Sequence, residues 1–214
     1  LSLVKVNGEA MIDRLIRIFN DFGAEDIYII TNNLTPLTQE HLLHLQEADP
    51  KIHLIVKTTP SSMHSFYELR KVMGNEKFCL TTVDTIFKED EFKHYICTWQ
   101  HSQDDGMMAV TDYIDDEKPL YIATDEELNI TGFLDDEPQH YISGGIYGLK
   151  GNSFPVIAKC IEEGQSRMRN FQRQLVKEGL HLKAYPFSKI LDVDHASDIE
   201  KAETFLLSTN NYKQ

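Results

Sequence analysis

The chain of 214 residues has 41% hydrophobic and 26% charged side chains, a composition typical of a soluble globular protein. Its formal net charge of −13 argues against non-specific nucleic-acid binding, but not against an anionic small substrate, because a metal ion can reverse the local field. No segment approaches the roughly 20 apolar residues of a membrane helix. Cys79, Cys97 and Cys160 lie far apart without a CxxC pair, which favours reduced thiols and a cytoplasmic location.

Predicted helices and strands alternate through the first 87 residues. The stretch "EAMIDRLIRIFNDFG" places apolar residues on one helical face, and Gly23 is suited to end the helix. Two more helices are predicted in "LTQEHLLHLQEAD", with Thr38 as its N-cap, and in "SSMHSFYELRKVMG". The predicted strands are "EDIYIIT", "KIHLIVKT" and "KFCLTTVDTIF". This order predicts a parallel sheet with helices on both faces.

The pattern changes after residue 87. "KEDEF" is interpreted as a solvated charge run, and "DGMMAVTDYI", "PLYIATDEELNITGF" and "HYISGGIYGL" as strands in antiparallel or mixed pairing. A long helix is predicted from about Phe154 to Glu178, then one or two short strands in "HLKAYPFSKILDVD", then a closing helix capped by Ser197. Without a linker or repeat, residues 1–214 are expected to form one α/β domain, doubly wound around a mostly parallel mixed sheet.

Two aspartates are predicted to follow strands whose carboxyl ends meet at one edge of the sheet. Asp84 ends the third predicted strand and Asp192 the last one. Ligands of open α/β sheets bind at this edge, and paired carboxylates suit an oxygen-liganded divalent cation. The alternatives are a turn or cap at Asp84 and capping of the final helix by Asp194 or Ser197.

Four phrases of the chain resemble the nucleotidyltransferases of the sugar-nucleotide pyrophosphorylase type. They are "LVKVNGEAMIDRLIRIF" before the first helix, "LTTVDTIF", "YISGGIYGL" and "LDVDHASDIEKAE". The phrases stand in the family's order and span nearly the whole chain. The resemblance implies a Rossmann-like nucleotidyltransferase fold and a reaction between a nucleoside triphosphate and a sugar phosphate, or another phosphorylated alcohol, that releases pyrophosphate.

The resemblance also implies roles for particular residues. Asp84 and Asp192 would hold Mg²⁺ against the α-phosphate, and Asp194 is a weaker candidate ligand. The stretch "TTPSSMHSFYELR" stands where the family holds the nucleoside, which makes Thr59, Ser61, Ser62 and Ser65 candidate nucleotide-binding residues. Ordinary N-capping is the alternative for Ser61 or Ser62.

The phrase "YISGGIYGL" provides the candidate sugar-binding residues. The resemblance implies this role for Gly145 and Tyr147. The alternative interpretation is that Gly144 and Gly145 mark a β-bulge and that Tyr147 belongs to the core.

The chain also departs from the family pattern. In the family, a first strand at the centre of the sheet and a glycine-rich loop that binds the triphosphate would precede Leu1. We therefore expect either a truncated chain, which we favour, or a degenerate homologue. The chain as given should then bind a triphosphate poorly. Glu137 stands where members often have a lysine that contacts the sugar phosphate. Lys150, Lys183 and Lys189 are the alternative cations, although a surface role is commoner for each.

Two other functions are compatible with the sequence. A glycosyltransferase of related fold would show a D-x-D at a strand end, whereas the third strand offers only "VDT". A non-catalytic nucleotide-sugar-binding homologue would lack the triphosphate loop by design. The residues do not identify the base or the acceptor, which could be a hexose phosphate, a heptose phosphate or phosphocholine, and they are compatible with a homo-oligomer.

Overall fold

The structure, a computed structural model, describes residues 2–33 and 35–208. It has the predicted α/β class, with helices and strands alternating early and strands dominating the middle. The α-helices of the described residues are α1 (Met11–Asp21), α2 (Pro36–Ala48), α3 (Ser62–Leu69), α4 (Glu89–His101), α5 (Phe154–Glu162), α6 (Met168–Lys177) and α7 (Ala196–Leu207). The strands are β1 (Lys5–Val6), β2 (Glu9–Ala10), β3 (Ile27–Thr31), β4 (Ile52–Val56), β5 (Phe78–Thr81), β6 (Thr85–Ile86), β7 (Gly106–Thr111), β8 (Tyr121–Thr124), β9 (Ile130–Leu134), β10 (Tyr141–Leu149), β11 (Leu182–Phe187) and β12 (Leu191–Asp192).

The main sheet has six strands and mixed pairing. Its order is β11-β7-β10-β8-β9, with β5 also paired to β10. Strands β7 and β11 are parallel, and every pair made by β10 is antiparallel. Strand β10 is nine residues long and has two partners on one side, because β8 pairs with its start and β5 with its end. The predicted antiparallel or mixed pairing is confirmed.

Helices cover both faces of this sheet, as predicted. Along β7, Met107 and Ala109 face a core formed with α1 and α4, whereas Met108 and Val110 face a core formed with α3, α5 and α6. All four side chains are buried. Continuous burial of this kind is typical of a strand sandwiched between two helical layers.

Strands β3 and β4 form a separate parallel pair joined through α2. The predicted cap of α2 is wrong: the helix begins at Pro36 after Thr35, and Thr38 is buried within its first turn. Proline favours the first helical position because its fixed φ suits the helix and no N–H is lost there. Among the described residues, strands β3 and β5 make no ladder with each other, so the β3-β4 pair is separate from the main sheet.

The third predicted strand is two strands with a turn between them. Strand β5 pairs with β10 and β6 pairs with β12, so the chain changes partners at residues 82–84. Asp84 therefore lies in a break between strands and not at the end of one continuous strand. A change of pairing partner does not alter the pattern of hydrophobic residues along the chain. The sequence pattern therefore does not predict it.

Helix α4 was not predicted. Its first turn contains Glu89, Asp90 and Glu91, which were interpreted as part of a solvated charge run. Acidic side chains are favourable at a helix N-terminus, because they interact with the positive end of the helix dipole. The buried face of α4 consists of aromatic residues, namely Phe92, Tyr95 and Trp99.

The long helix predicted between Phe154 and Glu178 is also wrong, since α5 and α6 are separate. Residues 163–167 connect them, and Gly164 and Arg167 both have a φ of 73°. Positive φ breaks a right-handed helix, and it is uncommon for a residue with a side chain. The break turns the N-terminus of α6 towards the cleft described below.

The last predicted helix is confirmed as α7, but its predicted cap is wrong. Ser197 is the second residue of the helix, and the carboxylate of Asp198 caps it instead. Asp198 Oδ2 accepts hydrogen bonds from the backbone N–H groups of Asp194 (3.0 Å) and His195 (2.9 Å). These bonds lower the pKa of Asp198, because they stabilise its charged form. Among the described residues, no helix combines the length and apolar character needed to span a membrane.

Candidate active site

A cleft of about 890 Å³ opens beside the ends of several strands. It is bounded by β3, the start of α3, the turn between β5 and β6, the glycine pair of β10 and the start of α6. Seven of the predicted site residues line it: Ser61, Ser62, Ser65, Asp84, Gly145, Tyr147 and Asp192. A second cavity of about 550 Å³ is lined by none of the predicted site residues, so the first cleft is the candidate site.

Asp84 is oriented by its neighbours in the turn between β5 and β6. Thr82 Oγ1 donates a hydrogen bond to Asp84 Oδ1 at 2.7 Å and lies 3.0 Å from Thr85 Oγ1. The carbonyl oxygen of Asp84 accepts from the N–H of Val193 at 3.0 Å. That bond fixes the turn to the strand that contains Asp192.

Asp192 lies next to Asp84 because β12 pairs antiparallel with β6, in a register that places Asp192 opposite Thr85. Burial in the cleft wall, and then the negative charges of Asp84 and Asp194, raise the pKa of Asp192 to about 7. Solvent reaches Asp192 from the cleft, so water screens part of this repulsion. The structure thus brings together two carboxylates that are far apart in sequence.

Asp194 adjoins this pair but does not line the cleft. Desolvation in this corner, and then the charges of Asp84 and Asp198, raise the pKa of Asp194. The pair and Asp194 therefore form a crowded acidic corner in which a neighbouring cation would relieve repulsion.

The carboxylate oxygens of this corner are ligands of the kind that Mg²⁺ prefers. Among residues 2–33 and 35–208, no group of three or more His, Cys, Asp or Glu side chains is arranged to hold a metal ion. Magnesium does not need such a cage, because it is commonly held by one or two carboxylates together with water and substrate phosphates. Asp84 and Asp192 provide two oxygen donors of this kind.

The predicted nucleotide-binding residues gather at the start of α3. Ser61 caps the helix, since its side chain accepts from the N–H of His64. Thr59 is tied to Ser65 by a hydroxyl contact of 2.6 Å and does not line the cleft. Ser62 and Ser65 do line it. The capping alternative is thus observed for Ser61, and it leaves Ser61 within reach of a ligand.

The glycine pair of β10 is a bulge, as the alternative interpretation stated. The register between β10 and β7 shifts between Ser143 and Tyr147, and Gly145 has a φ of 75°. Tyr147 is 9% exposed, and burial raises the pKa of its hydroxyl to about 12. Gly145 and Tyr147 nevertheless line the cleft, so the structural interpretation and the predicted sugar-binding role are compatible.

Sequence reasoning missed the cations of the cleft. The predicted lysines do not line it. Each is engaged elsewhere: Lys150 lies 3.6 Å from Asp105, Lys183 donates to the carbonyl of Glu127, and Lys189 packs over the ring of Tyr113. The cationic side chains that line the cleft, among the described residues, are Arg167 and Arg169. Asp116 and Gln172 also line it and were not predicted. No local motif marks Arg167 and Arg169, because the break between α5 and α6 brings them to the site.

Comparisons with known proteins identify the class. The family model "Nucleotidyl transferase" matches residues 2–209. No curated protein sequence matches. Similar solved structures include the inositol-1-phosphate CTP transferase from T. maritima, with 16% identity, a TM-score of 0.77 and coverage of 99% of this chain and 87% of that one.

Two further structures show the same fold. An apo UDP-glucose pyrophosphorylase has 15% identity and a TM-score of 0.79, covering 98% of this chain and 90% of that one. The CTP:phosphocholine cytidylyltransferase from Streptococcus pneumoniae has 18% identity and a TM-score of 0.74, covering 96% and 89%. Fold and family model agree, and the chain belongs to the nucleotidyl transferase family.

Proposed function

We propose that this protein transfers a nucleotidyl group from a nucleoside triphosphate to a sugar phosphate or a similar phosphorylated alcohol. An oxygen of the acceptor phosphate forms a bond to the α-phosphorus. The bond between the α-phosphorus and the bridging oxygen breaks, and pyrophosphate leaves with the electron pair. The product is a nucleoside diphosphate linked to the acceptor.

The juxtaposition of Asp84 and Asp192 is the observation that carries this proposal. Both line the cleft beside the ends of β5 and β12, and each increases the local negative charge. Mg²⁺, when bound by these carboxylates, would supply positive charge at the α-phosphate. The chain itself contributes orientation, because Thr82 fixes the carboxylate of Asp84 and the hydrogen bond from Val193 fixes the two strands together.

The remaining walls of the cleft are assigned by position. Ser61, Ser62 and Ser65 offer short hydroxyls and the N-terminus of α3 to the nucleoside. Gly145 and Tyr147 face the acceptor from the bulge of β10. Phosphoryl chemistry of this kind depends on positioning and charge neutralisation more than on covalent help, which suits a site without an activated nucleophile.

The free thiols are in keeping with a cytoplasmic location.

Pyrophosphate release tests the proposal directly. The protein, expressed from its natural start codon, is assayed with four nucleoside triphosphates crossed with a panel of sugar phosphates, myo-inositol 1-phosphate and phosphocholine, with and without Mg²⁺. Turnover that requires one nucleotide, one acceptor and Mg²⁺ is the expected result. Absence of acceptor-dependent release across the panel, from folded protein, would contradict the proposal.

Asp84→Ala and Asp192→Ala should each reduce turnover by about 100-fold or more, a loss typical of removing electrostatic stabilisation from the transition state. Asp112→Ala is the matched control, because Asp112 is an exposed carboxylate outside the cleft lining. Circular dichroism and thermal melts check that the variants are folded. Full activity in both cleft variants would refute the assignment of a cation to this pair.

A further inference from the structure

Two threonine hydroxyls form a short chain of hydrogen bonds that ends on Asp84. Thr82 Oγ1 lies 2.7 Å from Asp84 Oδ1 and 3.0 Å from Thr85 Oγ1. All three residues line the cleft. Thr82 is exposed, whereas Thr85 is 1% exposed. The exposed hydroxyl that contacts the carboxylate is therefore itself in contact with a buried hydroxyl.

The number of available protons fixes the direction of this chain. An ionised carboxylate only accepts hydrogen bonds, so the single hydroxyl proton of Thr82 is donated to Asp84. In the contact between the two hydroxyls, Thr85 therefore donates and Thr82 accepts. The donors run from Thr85 through Thr82 to the carboxylate for which we propose a role in holding Mg²⁺.

The first donor of the chain, Thr85, is held by its surroundings. Thr85 lies in β6, opposite Asp192 of β12. The bulge of β10 packs beside it, since a Cβ added to Gly145 would lie 3.9 Å from Thr85 Oγ1. A β-branched side chain also has few favourable χ1 rotamers. The orientation of the Thr85 hydroxyl is thus fixed by packing and does not depend on solvent.

Thr82 needs such a partner because it is exposed. A hydroxyl group rotates freely, and at an exposed position water competes with Asp84 for its proton. The hydrogen bond from Thr85 occupies one acceptor site of Thr82 and favours the rotation in which the proton points to Asp84. Consecutive hydrogen bonds also polarise one another, which strengthens the bond to the carboxylate.

We infer that Thr82 and Thr85 are positioning residues for the cation site, and that Thr85 acts on the cation only through Thr82 and Asp84. This inference rests on the proposed function, in which Asp84 and Asp192 hold Mg²⁺. Hydrogen-bond partners of carboxylate ligands orient the ligand, and their removal typically weakens metal binding by about 10–100-fold. Thr85 thus sets the cation affinity from a buried position, without contacting cation or substrate.

Titration of the protein with Mn²⁺ alone, followed by electron paramagnetic resonance, tests this role without nucleotide or acceptor. Mn²⁺ prefers the same oxygen ligands as Mg²⁺. Thr82→Val should weaken Mn²⁺ binding about tenfold or more. Thr85→Val should weaken it by about threefold to tenfold, because Thr82 then keeps only a weakened bond to Asp84. Thr85→Ser retains the hydroxyl and should bind Mn²⁺ within about twofold of the parent protein.

A double-mutant cycle distinguishes a chain from two independent effects. If Thr85 acts through Thr82, Thr85→Val should change the Mn²⁺ affinity by less than about twofold once Thr82→Val is present. Equal factors with and without Thr82→Val would mean that the two threonines act independently, and this result would overturn the inferred chain.

The Mg²⁺ dependence of turnover provides a second measurement. In Thr85→Val, the Mg²⁺ concentration that gives half-maximal pyrophosphate release should rise by the same factor as the Mn²⁺ dissociation constant. The kcat at saturating Mg²⁺ should stay within about twofold of the parent value, because the site, once filled, has the same ligands. A merely structural defect would lower kcat at every Mg²⁺ concentration.

Thr111→Val is the matched control. Thr111 is also a strand threonine that is 1% exposed, and its Oγ1 accepts a hydrogen bond from the N–H of Tyr113. It does not line the cleft. Valine has nearly the shape of threonine and suits a strand, so the control and Thr85→Val should both fold, which circular dichroism and thermal melts verify. Thr111→Val should leave the Mn²⁺ affinity unchanged.

The possible failures can be told apart. Equal Mn²⁺ binding by the parent protein and folded Thr85→Val would overturn the inference and leave the proposed function standing. A parent protein that binds no Mn²⁺ also overturns the inference, and the pyrophosphate assay across the nucleotide and acceptor panel then decides the proposed function separately. If turnover is absent but Mn²⁺ binding weakens as expected in both valine variants, the positioning role is upheld and the proposed reaction is refuted.

Discussion

Replacing Asp192 with asparagine should stabilise the protein at pH 8 when no divalent cation is present. Asparagine has nearly the same shape as aspartate and carries no charge. In the folded protein, burial and the neighbouring carboxylates raise the pKa of Asp192 from 3.8 to about 7. Between about pH 4 and pH 7 the folded state therefore holds a proton that the unfolded state has lost, and the free energy of unfolding falls as the pH rises through this window.

The size of the effect follows from the shift and from the exposure of the side chain. The full shift would correspond to roughly 4 kcal/mol, at about 1.4 kcal/mol per pH unit. Solvent reaches Asp192 from the cleft, so screening reduces the expected gain to about 1–2 kcal/mol. For a chain of this length that gain corresponds to a Tm roughly 3–6 °C higher for Asp192→Asn at pH 8.

Thermal melts from pH 3.5 to pH 8.5 in chelator check this prediction. The Tm difference between Asp192→Asn and the parent protein should be near zero below pH 4 and should grow until about pH 7. Asp198→Asn is the control of opposite sign, because hydrogen bonds to the backbone lower the pKa of Asp198 and make its charge stabilising. A Tm difference that is zero at pH 8, or that does not change with pH, would refute the reasoning.

Two further predictions concern packing and capping. Ser61→Ala should destabilise the protein by about 1 kcal/mol, because the N–H of His64 loses the acceptor that caps α3, and an unchanged Tm would contradict this. Gly148→Ala should destabilise it by roughly 1–3 kcal/mol, because a Cβ there would lie 2.9 Å from the Tyr95 hydroxyl and 3.0 Å from the Met107 carbonyl. Urea denaturation with an unchanged midpoint would show that the sheet accommodates the methyl group.

The sequence predicts the elements whose signal is local. Strands β3 and β4, helix α1 with its glycine end and the strands from β7 to β10 follow from the periodicity or the apolar composition of their own residues. The pairing of Asp84 with Asp192 also follows, since both come after predicted strands at one edge. What the sequence could not predict depends on distant partners, as in the division of residues 78–86 into two strands.

Helix α4 and the break before α6 were missed for a different reason. The acidic start of α4 has the same composition as a solvated loop, and only the packing of Trp99 and its neighbours against the sheet distinguishes the two. The break at residues 163–167 contains one glycine, but the second unusual residue is an arginine, which local propensity would place in a helix. The missed cation of the site, Arg167, lies at that break.

The negative net charge of the protein bears on the candidate site at Asp84, Asp192 and Arg167. A chain with a net charge of −13 repels anions at long range, yet the proposed reaction brings two of them into one cleft. Under the proposed function, a cation at Asp84 and Asp192 would balance part of this charge locally, and the guanidinium of Arg167, which lines the cleft, would balance another part. Both positions interrupt regular structure, one between β5 and β6 and the other between α5 and α6. Backbone breaks bring side chains from distant segments into one cleft, and Arg167, which no sequence signal marks, lies at one of them.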